Sequence, residues 1–140
     1  MMIIAGIVAL LCFTYTAEGA VSSDCLDCIW QVESRKASHL GCSMDVTSTA
    51  CGPYQIHHNY YKDCTKNKHA SVAEWQACTQ EADCSRACVQ NYLNHYGGKK
   101  CPNDCEGYAR MHNGGPRGCR NSNTDVYWNK IRNSGCSSHS

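Results

Sequence analysis

Thirteen cysteines in a 140-residue chain constrain this sequence more than any other feature. Cysteine at that density belongs to the disulfide scaffolds of exported proteins. Large aliphatic residues are scarce for the length, so a core built by burial alone would be thin and cross-links make up the difference. The odd count resolves at the N-terminus. Residues 3–13, IIAGIVALLCF, form an apolar run too short to span a bilayer, followed by the small and polar residues of TYTAEGAVSS. Ala17 and Gly19 satisfy the small-x-small cleavage rule, so residues 1–19 read as a secretory signal peptide. An uncleaved anchor is the alternative, because the n-region carries no Lys or Arg. Cleavage removes Cys12 and leaves cysteines 25, 28, 42, 51, 64, 78, 84, 88, 101, 105, 119 and 136, an even dozen that implies six bridges. The expectation is a secreted chain, residues 20–140, forming one domain with no stable membrane association after cleavage.

After position 19 there are 13 basic and 11 acidic residues, a net charge of +2, with Lys and Arg dispersed apart from Arg35-Lys36 and Lys99-Lys100. No nucleic-acid footprint is present in that distribution. Along the chain, Cys25, Cys28, Ile29 and Val32 recur at helical spacing, with Asp24 as the expected N-cap and Gly41 as the expected left-handed position after SRKASHLG. The segment SMDVTSTACGPYQI, with β-branched residues and a Gly52-Pro53 turn signal, predicts a small antiparallel hairpin or irregular β loop. Ser71-Val-Ala-Glu74 is a capping-box pattern ahead of a helix to about Gln80, with Trp75 and Cys78 on one face. Helical spacing continues from Cys84 through Cys88 and Tyr92 to His95, until Gly97-Gly98 stops it. Tyr108, Met111 and His112 fall on a short helix ended by Asn113-Gly-Gly-Pro116, and Thr124 or Asn123 caps a last helix carrying Val126, Tyr127 and Ile131. The class is α+β, mainly helical with one small β element and a dense set of disulfides.

Cys25-x-x-Cys28, Cys84-x3-Cys88 and Cys101-x3-Cys105 resemble metal-ligand pairs, but the export signal and even count favour disulfides, and no metal or cofactor is expected. Most of the seven histidines, the adjacent His57-His58 included, read as solvated surface residues, with His112 held apart by the turn that follows it. Glu33 and Asp45 are the sharper pair. Glycoside hydrolysis needs one carboxylic acid that still holds a proton near neutrality and one ionised carboxylate that attacks or stabilises the sugar cation. Glu33, beside Val32 and near Ile29 and Trp30 at the negative end of a helix, suits the first role, and Asp45, among Thr47, Ser48 and Thr49, suits the second. Spacing alone leaves the simpler reading ahead. Twelve acids give many such pairs, and Glu33 could pair with Arg35 or Lys36.

Several blocks in order change that balance. Cys25-Leu-x-Cys28-Ile, Glu33-Ser34, Cys42-x-Met44-Asp45, Cys51-Gly-Pro-Tyr-Gln-Ile56, Cys88-Val-Gln-Asn-Tyr92, His112-Asn-Gly-Gly-Pro-x-Gly-Cys119 and Tyr127-Trp128 together resemble the invertebrate-type (i-type) lysozymes, which include destabilase. The resemblance runs from Cys25 to Cys136. It implies a lysozyme-like fold, mainly helical with a small β subdomain and a cleft between them. It implies hydrolysis, with retention, of the β-1,4 link between N-acetylmuramic acid and N-acetylglucosamine in bacterial peptidoglycan, in defence or in digestion of bacteria. Glu33 then matches the proton donor and Asp45 the nucleophile, while Tyr54, Gln55, Ile56, Tyr92 and the turn His112-Asn113-Gly114 match sugar-subsite positions. Chitin oligosaccharides are accepted ligands in the family, and some members cleave glutamyl-lysine isopeptide bonds.

Three departures from the family pattern stand out. Trp30 and Arg35-Lys36 occupy positions where members carry a bridging cysteine pair, so six bridges are expected in place of seven and the end of the Glu33 helix is expected to gain freedom. A bridge closing a short loop is worth about 2 to 3 kcal/mol in the chain-entropy model. Thr47 stands where members have Gly, which alters the turn presenting Asp45. Arg35 or Lys36 could reach Glu33. These departures keep two alternatives open: a non-catalytic sugar-binding relative, and an isopeptidase for which Ser48 is the candidate nucleophile. Twelve cysteines allow on the order of ten thousand pairings, so connectivity is not legible from the sequence.

Overall fold

A computed structural model describes residues 20–44 and 48–140. The leader expected over residues 1–19 lies outside the described residues, as do Asp45, Val46 and Thr47. The described chain forms six helices, α1 (Ser23–Ser34), α2 (His58–Thr65), α3 (Val72–Thr79), α4 (Ala82–Tyr96), α5 (Cys105–Gly114) and α6 (Asp125–Asn133), and three strands, β1 (Cys42–Met44), β2 (Thr49–Cys51) and β3 (Ile56–His57). Two short 3-10 turns link α5 to α6. The α+β class holds, with the sheet set between α1 and α2.

Six disulfides use all twelve cysteines of the described residues: 25–105, 28–136, 42–51, 64–88, 78–84 and 101–119. Two of them fasten α1, through Cys25 to the start of α5 and through Cys28 to Cys136 just beyond α6. These are the long closures, spanning 80 and 108 positions, which constrain the unfolded chain most. Around them Ile29, Tyr54, Ile56, Val89, Leu93, Met111 and Ile131 are fully buried.

Both ends of α1 differ from expectation. Ser22, extended at ψ 156°, is the N-cap and accepts from the Cys25 amide at 3.0 Å, which leaves Asp24 in the first turn where its charge meets the positive helix end. At the other end Arg35 and Lys36, at φ 56° and 58°, take the left-handed conformation assigned to Gly41. Reversal immediately after Ser34 lets the Arg35 and Lys36 amides reach the Gln31 and Trp30 carbonyls, so the turn closes six residues early. The loop that follows is also tied. Trp30 donates its indole N–H to the Ala37 carbonyl at 2.8 Å, and Ser34 accepts from the Ala37 amide at 3.2 Å. A side-chain hydrogen bond therefore restrains the segment that the missing bridge was expected to leave loose.

The anticipated hairpin is a three-stranded antiparallel sheet in the order β1-β2-β3, with Cys42 facing Cys51 and Ala50 facing His57. Gly52, at φ 81°, makes the turn into β3, and a Cβ there would stand 1.4 Å from the Thr79 carbonyl oxygen at the end of α3. Only glycine allows that approach.

The sequence pattern does not announce α2, whose N-cap His57 makes no side-chain cap bond. It is held from outside, by Cys64–Cys88 and by the Tyr60 ring stacked on Tyr92 at 3.7 Å. The adjacent histidines are not simple surface residues: His58 donates Nε2–H to the Ala70 carbonyl at 2.7 Å and stacks on Trp75. Helix α3 begins with the expected box, Ser71 accepting from the Glu74 amide and Glu74 from the Ser71 amide. Thr124 sits at the N-cap of α6 but turns its hydroxyl back to the Gly118 and Asn121 carbonyls, so it braces the preceding turns and caps nothing.

Candidate active site

Glu33 ends the polar side of α1, its side chain 17% exposed, on an open cleft of about 210 Å³ lined with Ala50, Gln55, His57, His112 and Asn113. Three elements meet there: the last turn of α1, the β2–β3 end of the sheet and the last turn of α5. The two long disulfides explain the meeting, since they bind the Glu33 helix to the helix carrying His112 and to the chain end beyond α6.

Tyr127, 94 positions from Glu33, donates its hydroxyl hydrogen to Glu33 Oε1 at 2.8 Å. Burial first, then the charge of Glu33 and the hydrogen bond to it, push the Tyr127 phenol well above its usual value, so it stays a donor throughout the neutral range. His112 stands beside it with Nε2 3.5 Å from the same carboxylate oxygen and 3.0 Å from the Tyr54 carbonyl. A carbonyl only accepts, so Nε2 carries the hydrogen, and in the neutral ring Nδ1 is then the acceptor for Tyr60, whose hydroxyl lies 3.0 Å away. Desolvation, followed by neighbouring Tyr92 and Glu33, raises the Tyr60 phenol well above its ordinary range and keeps it a donor.

Among the described residues neither Arg35 nor Lys36 pairs with Glu33; the left-handed turn carries them away, and Lys36 faces a different surface with Asp27, Gln31 and Ser134. Asp45 lies outside the described residues, between Met44 and Ser48 in the sequence.

The expected subsite residues divide into two groups. Gln55, His112 and Asn113 line the cleft, with Gln55 held at φ 52° by its amide and side-chain bonds to the Gly52 carbonyl. A non-glycine residue in that conformation at a cleft is local strain that the surrounding turn sustains. Gly114 is exposed at the end of α5, close to Thr124. Tyr54, Ile56 and Tyr92 lie in the core, at 0%, 0% and 4% exposure, behind the cleft wall. Tyr54 presents its carbonyl to His112 while its hydroxyl, raised by burial against the opposing effect of Arg86, accepts from that guanidinium at 2.9 Å. Arg86 also binds Asp27 at 2.7 Å, tying α4 to α1 beneath the site.

Tyr127, Tyr60, Ala50 and His57 were not singled out from the sequence as site residues. Tyr127 belongs to a quoted block, but nothing in its local pattern points to a carboxylate so distant in the chain. His57 shows a second arrangement: its Nδ1 lies 2.9 Å from Ser48 Oγ and 3.1 Å from the Thr49 carbonyl, beside a neighbouring hollow lined by Ser48, Thr49, His58, Asn59 and Trp75. Among the described residues no group of three or more His, Cys, Asp or Glu side chains is placed to hold a metal ion.

The Destabilase family model matches residues 22–134. The chain belongs to the Destabilase family. Within it, invertebrate-type lysozyme 6 of Caenorhabditis elegans is 50% identical, with 83% of this chain and 88% of the relative aligned. Lysozyme 1 of Crassostrea virginica is 46% identical over 86% of this chain, which spans 63% of that relative's length. The crystal structure of Tapes japonica lysozyme superposes with a TM-score of 0.73 at 41% identity, over 87% of this chain and 98% of that one. The mainly helical lysozyme-like fold with a small β subdomain expected from the sequence blocks is thus the observed one, and the relatives are lysozymes, which are glycoside hydrolases.

Proposed function

We propose that this chain is a secreted lysozyme that hydrolyses the β-1,4 link between N-acetylmuramic acid and N-acetylglucosamine in bacterial peptidoglycan, in antibacterial defence or digestion of bacteria. The observation that carries the reading is the Glu33 carboxyl on the cleft, held at one oxygen by Tyr127 and approached by His112. In this mechanism Glu33 gives its proton to the glycosidic oxygen as the C–O bond breaks, and the Asp45 carboxylate takes the anomeric carbon. Water, deprotonated by Glu33, then hydrolyses the glycosyl ester and restores both acids. Gln55, His112, Asn113 and Gly114 meet the sugar, and Tyr54, Ile56 and Tyr92 support that wall from the core. Chitin oligosaccharides are the simpler ligands of the same cleft.

Clearing of a bacterial cell-wall suspension tests the assignment. Glu33→Gln and Asp45→Asn are each expected to lower the rate by about a hundredfold or more. Wild-type rates in Glu33→Gln would remove Glu33 as the acid, and binding of chitin oligosaccharide without turnover by the wild type would make the chain a non-catalytic sugar-binding relative.

A second reading has its own observation, the 2.9 Å contact between Ser48 Oγ and His57 Nδ1. It supports isopeptidase action on glutamyl-lysine bonds, with Ser48 as nucleophile and His57 as base. The nearby Thr49 carbonyl competes for the same nitrogen, and only the ring with Nδ1 unprotonated can accept the serine proton. Loss of turnover of a chromogenic glutamyl-lysine substrate in Ser48→Ala, with cell-wall clearing retained, is the expected result. Unchanged turnover would remove Ser48.

A further inference from the structure

Glu33 has two carboxyl oxygens in different surroundings. Oε1 receives the Tyr127 hydroxyl at 2.8 Å and stands 3.5 Å from His112 Nε2, while Oε2 has no hydrogen-bond or ion-pair partner among the described residues. A carboxyl oxygen that already accepts from strong donors is the poorer place for a proton, and a proton on the other oxygen is free to leave toward a substrate. We infer that Tyr127 is a positioning residue for the acid: it pins Oε1 so that the transferable proton sits on Oε2, the oxygen left to the cleft. The inference rests on Glu33 being the acid.

The neighbours make the arrangement one-directional. His112 donates Nε2–H to the Tyr54 carbonyl and takes the Tyr60 hydroxyl at Nδ1, which fixes the ring with its Nε2 edge 3.5 Å from Oε1. Among the described residues Oε1 therefore holds one donated hydrogen, that of Tyr127, with the His112 ring beside it. Among the described residues the titratable groups around the carboxyl are Tyr127 from α6, His112 from α5 with Tyr60 from α2 behind it, and His57 from β3 across the cleft, with no lysine or arginine. The Tyr127 ring is buried, 8% exposed, and lies 6.3 Å from the His112 ring, so the hydroxyl has little freedom to swing away.

Tyr127→Phe in the full mature chain keeps the ring and removes the hydroxyl. Hydrolysis of soluble peptidoglycan fragments is then expected to show a kcat lowered about tenfold with KM within about twofold, the signature of an interaction used in the transition state. General loosening of the fold would raise KM along with lowering kcat, so the split separates the two. Unchanged kcat, or a loss confined to KM, would overturn the inference. Should the variant not fold, nitrogen-15 NMR of the wild-type imidazoles decides it: a neutral His112 with its hydrogen at Nε2 is required, and a hydrogen at Nδ1 overturns the arrangement. Full clearing by Glu33→Gln would instead defeat the assignment of the acid, a failure separable from both of these.

Discussion

The indole nitrogen of Trp30 donates to the carbonyl of Ala37 at 2.8 Å, closing the segment that follows the Glu33 helix. The same ring stacks on Tyr54 with centroids 6.3 Å apart, so one side chain links the helix end, the loop and the core behind the cleft. Trp30→Phe keeps the stacking and removes the hydrogen bond, and about 1 kcal/mol of stability should go with it. Denaturant unfolding measures the loss; limited proteolysis should show faster cutting over residues 35–41. No change in either would mean that the hydrogen bond restrains nothing.

Removing disulfides singly should separate the frame of the site from the rest of the fold. The Cys28–Cys136 closure spans 108 positions and the Cys78–Cys84 closure 6, and the chain-entropy model sets the longer one about 2.5 kcal/mol above the shorter. The paired variant Cys28→Ala with Cys136→Ala should lose both stability and clearing activity, because α1 is unhooked from the chain end beyond α6. Cys78→Ala with Cys84→Ala should cost less and leave clearing close to wild type. The reverse order in thermal melts would contradict the assignment.

Two glycines give a sharp contrast. Gly52→Ala places a methyl group 1.4 Å from the Thr79 carbonyl oxygen in a residue at φ 81°, and should cost about 3 kcal/mol or more. Gly41→Ala meets nothing within 4 Å and has no left-handed backbone to strain, so its effect should stay within about 0.5 kcal/mol. Equal melting temperatures for the two variants would refute the turn described for Gly52.

Arg35 and Lys36 hold the left-handed turn without being glycine. Arg35→Gly should therefore raise stability by roughly 0.5 kcal/mol, relief of strain outweighing the added freedom of the unfolded chain. Lys36→Ala should leave the pH profile of clearing where it is, because this lysine does not pair with Glu33. A profile displaced by that substitution would show a long-range charge effect that the geometry does not contain.

Much of the frame was legible locally. The capping box at Ser71 and Glu74 formed as read, because both partners lie within one helical turn and need nothing distant. The breaks at Gly97-Gly98 and within Asn113-Gly-Gly-Pro116, where α5 ends at Gly114, held for the same reason, glycine ending a helix wherever the chain must turn. Helix α2 was not legible, since its stability comes from Cys88 and Tyr92 on another helix. The left-handed turn at Arg35-Lys36 was not legible either: backbone pattern favours glycine there, and contacts with Trp30 and Gln31 overrule it.

The candidate site divides along the same line. The sequence by itself determined that Glu33 would end a cross-linked helix, that twelve cysteines would pair, and that the blocks around Cys51, Tyr92 and His112 belong to one family, because composition and short motifs carry that information. Only the tertiary structure decided which cysteines meet, that Tyr54, Ile56 and Tyr92 lie behind the cleft, and that Tyr127 and His112 converge on one oxygen of Glu33. Hydrogen bonds act over about 3 Å, and which residues come within that reach is decided when helices distant in the chain pack and are bridged.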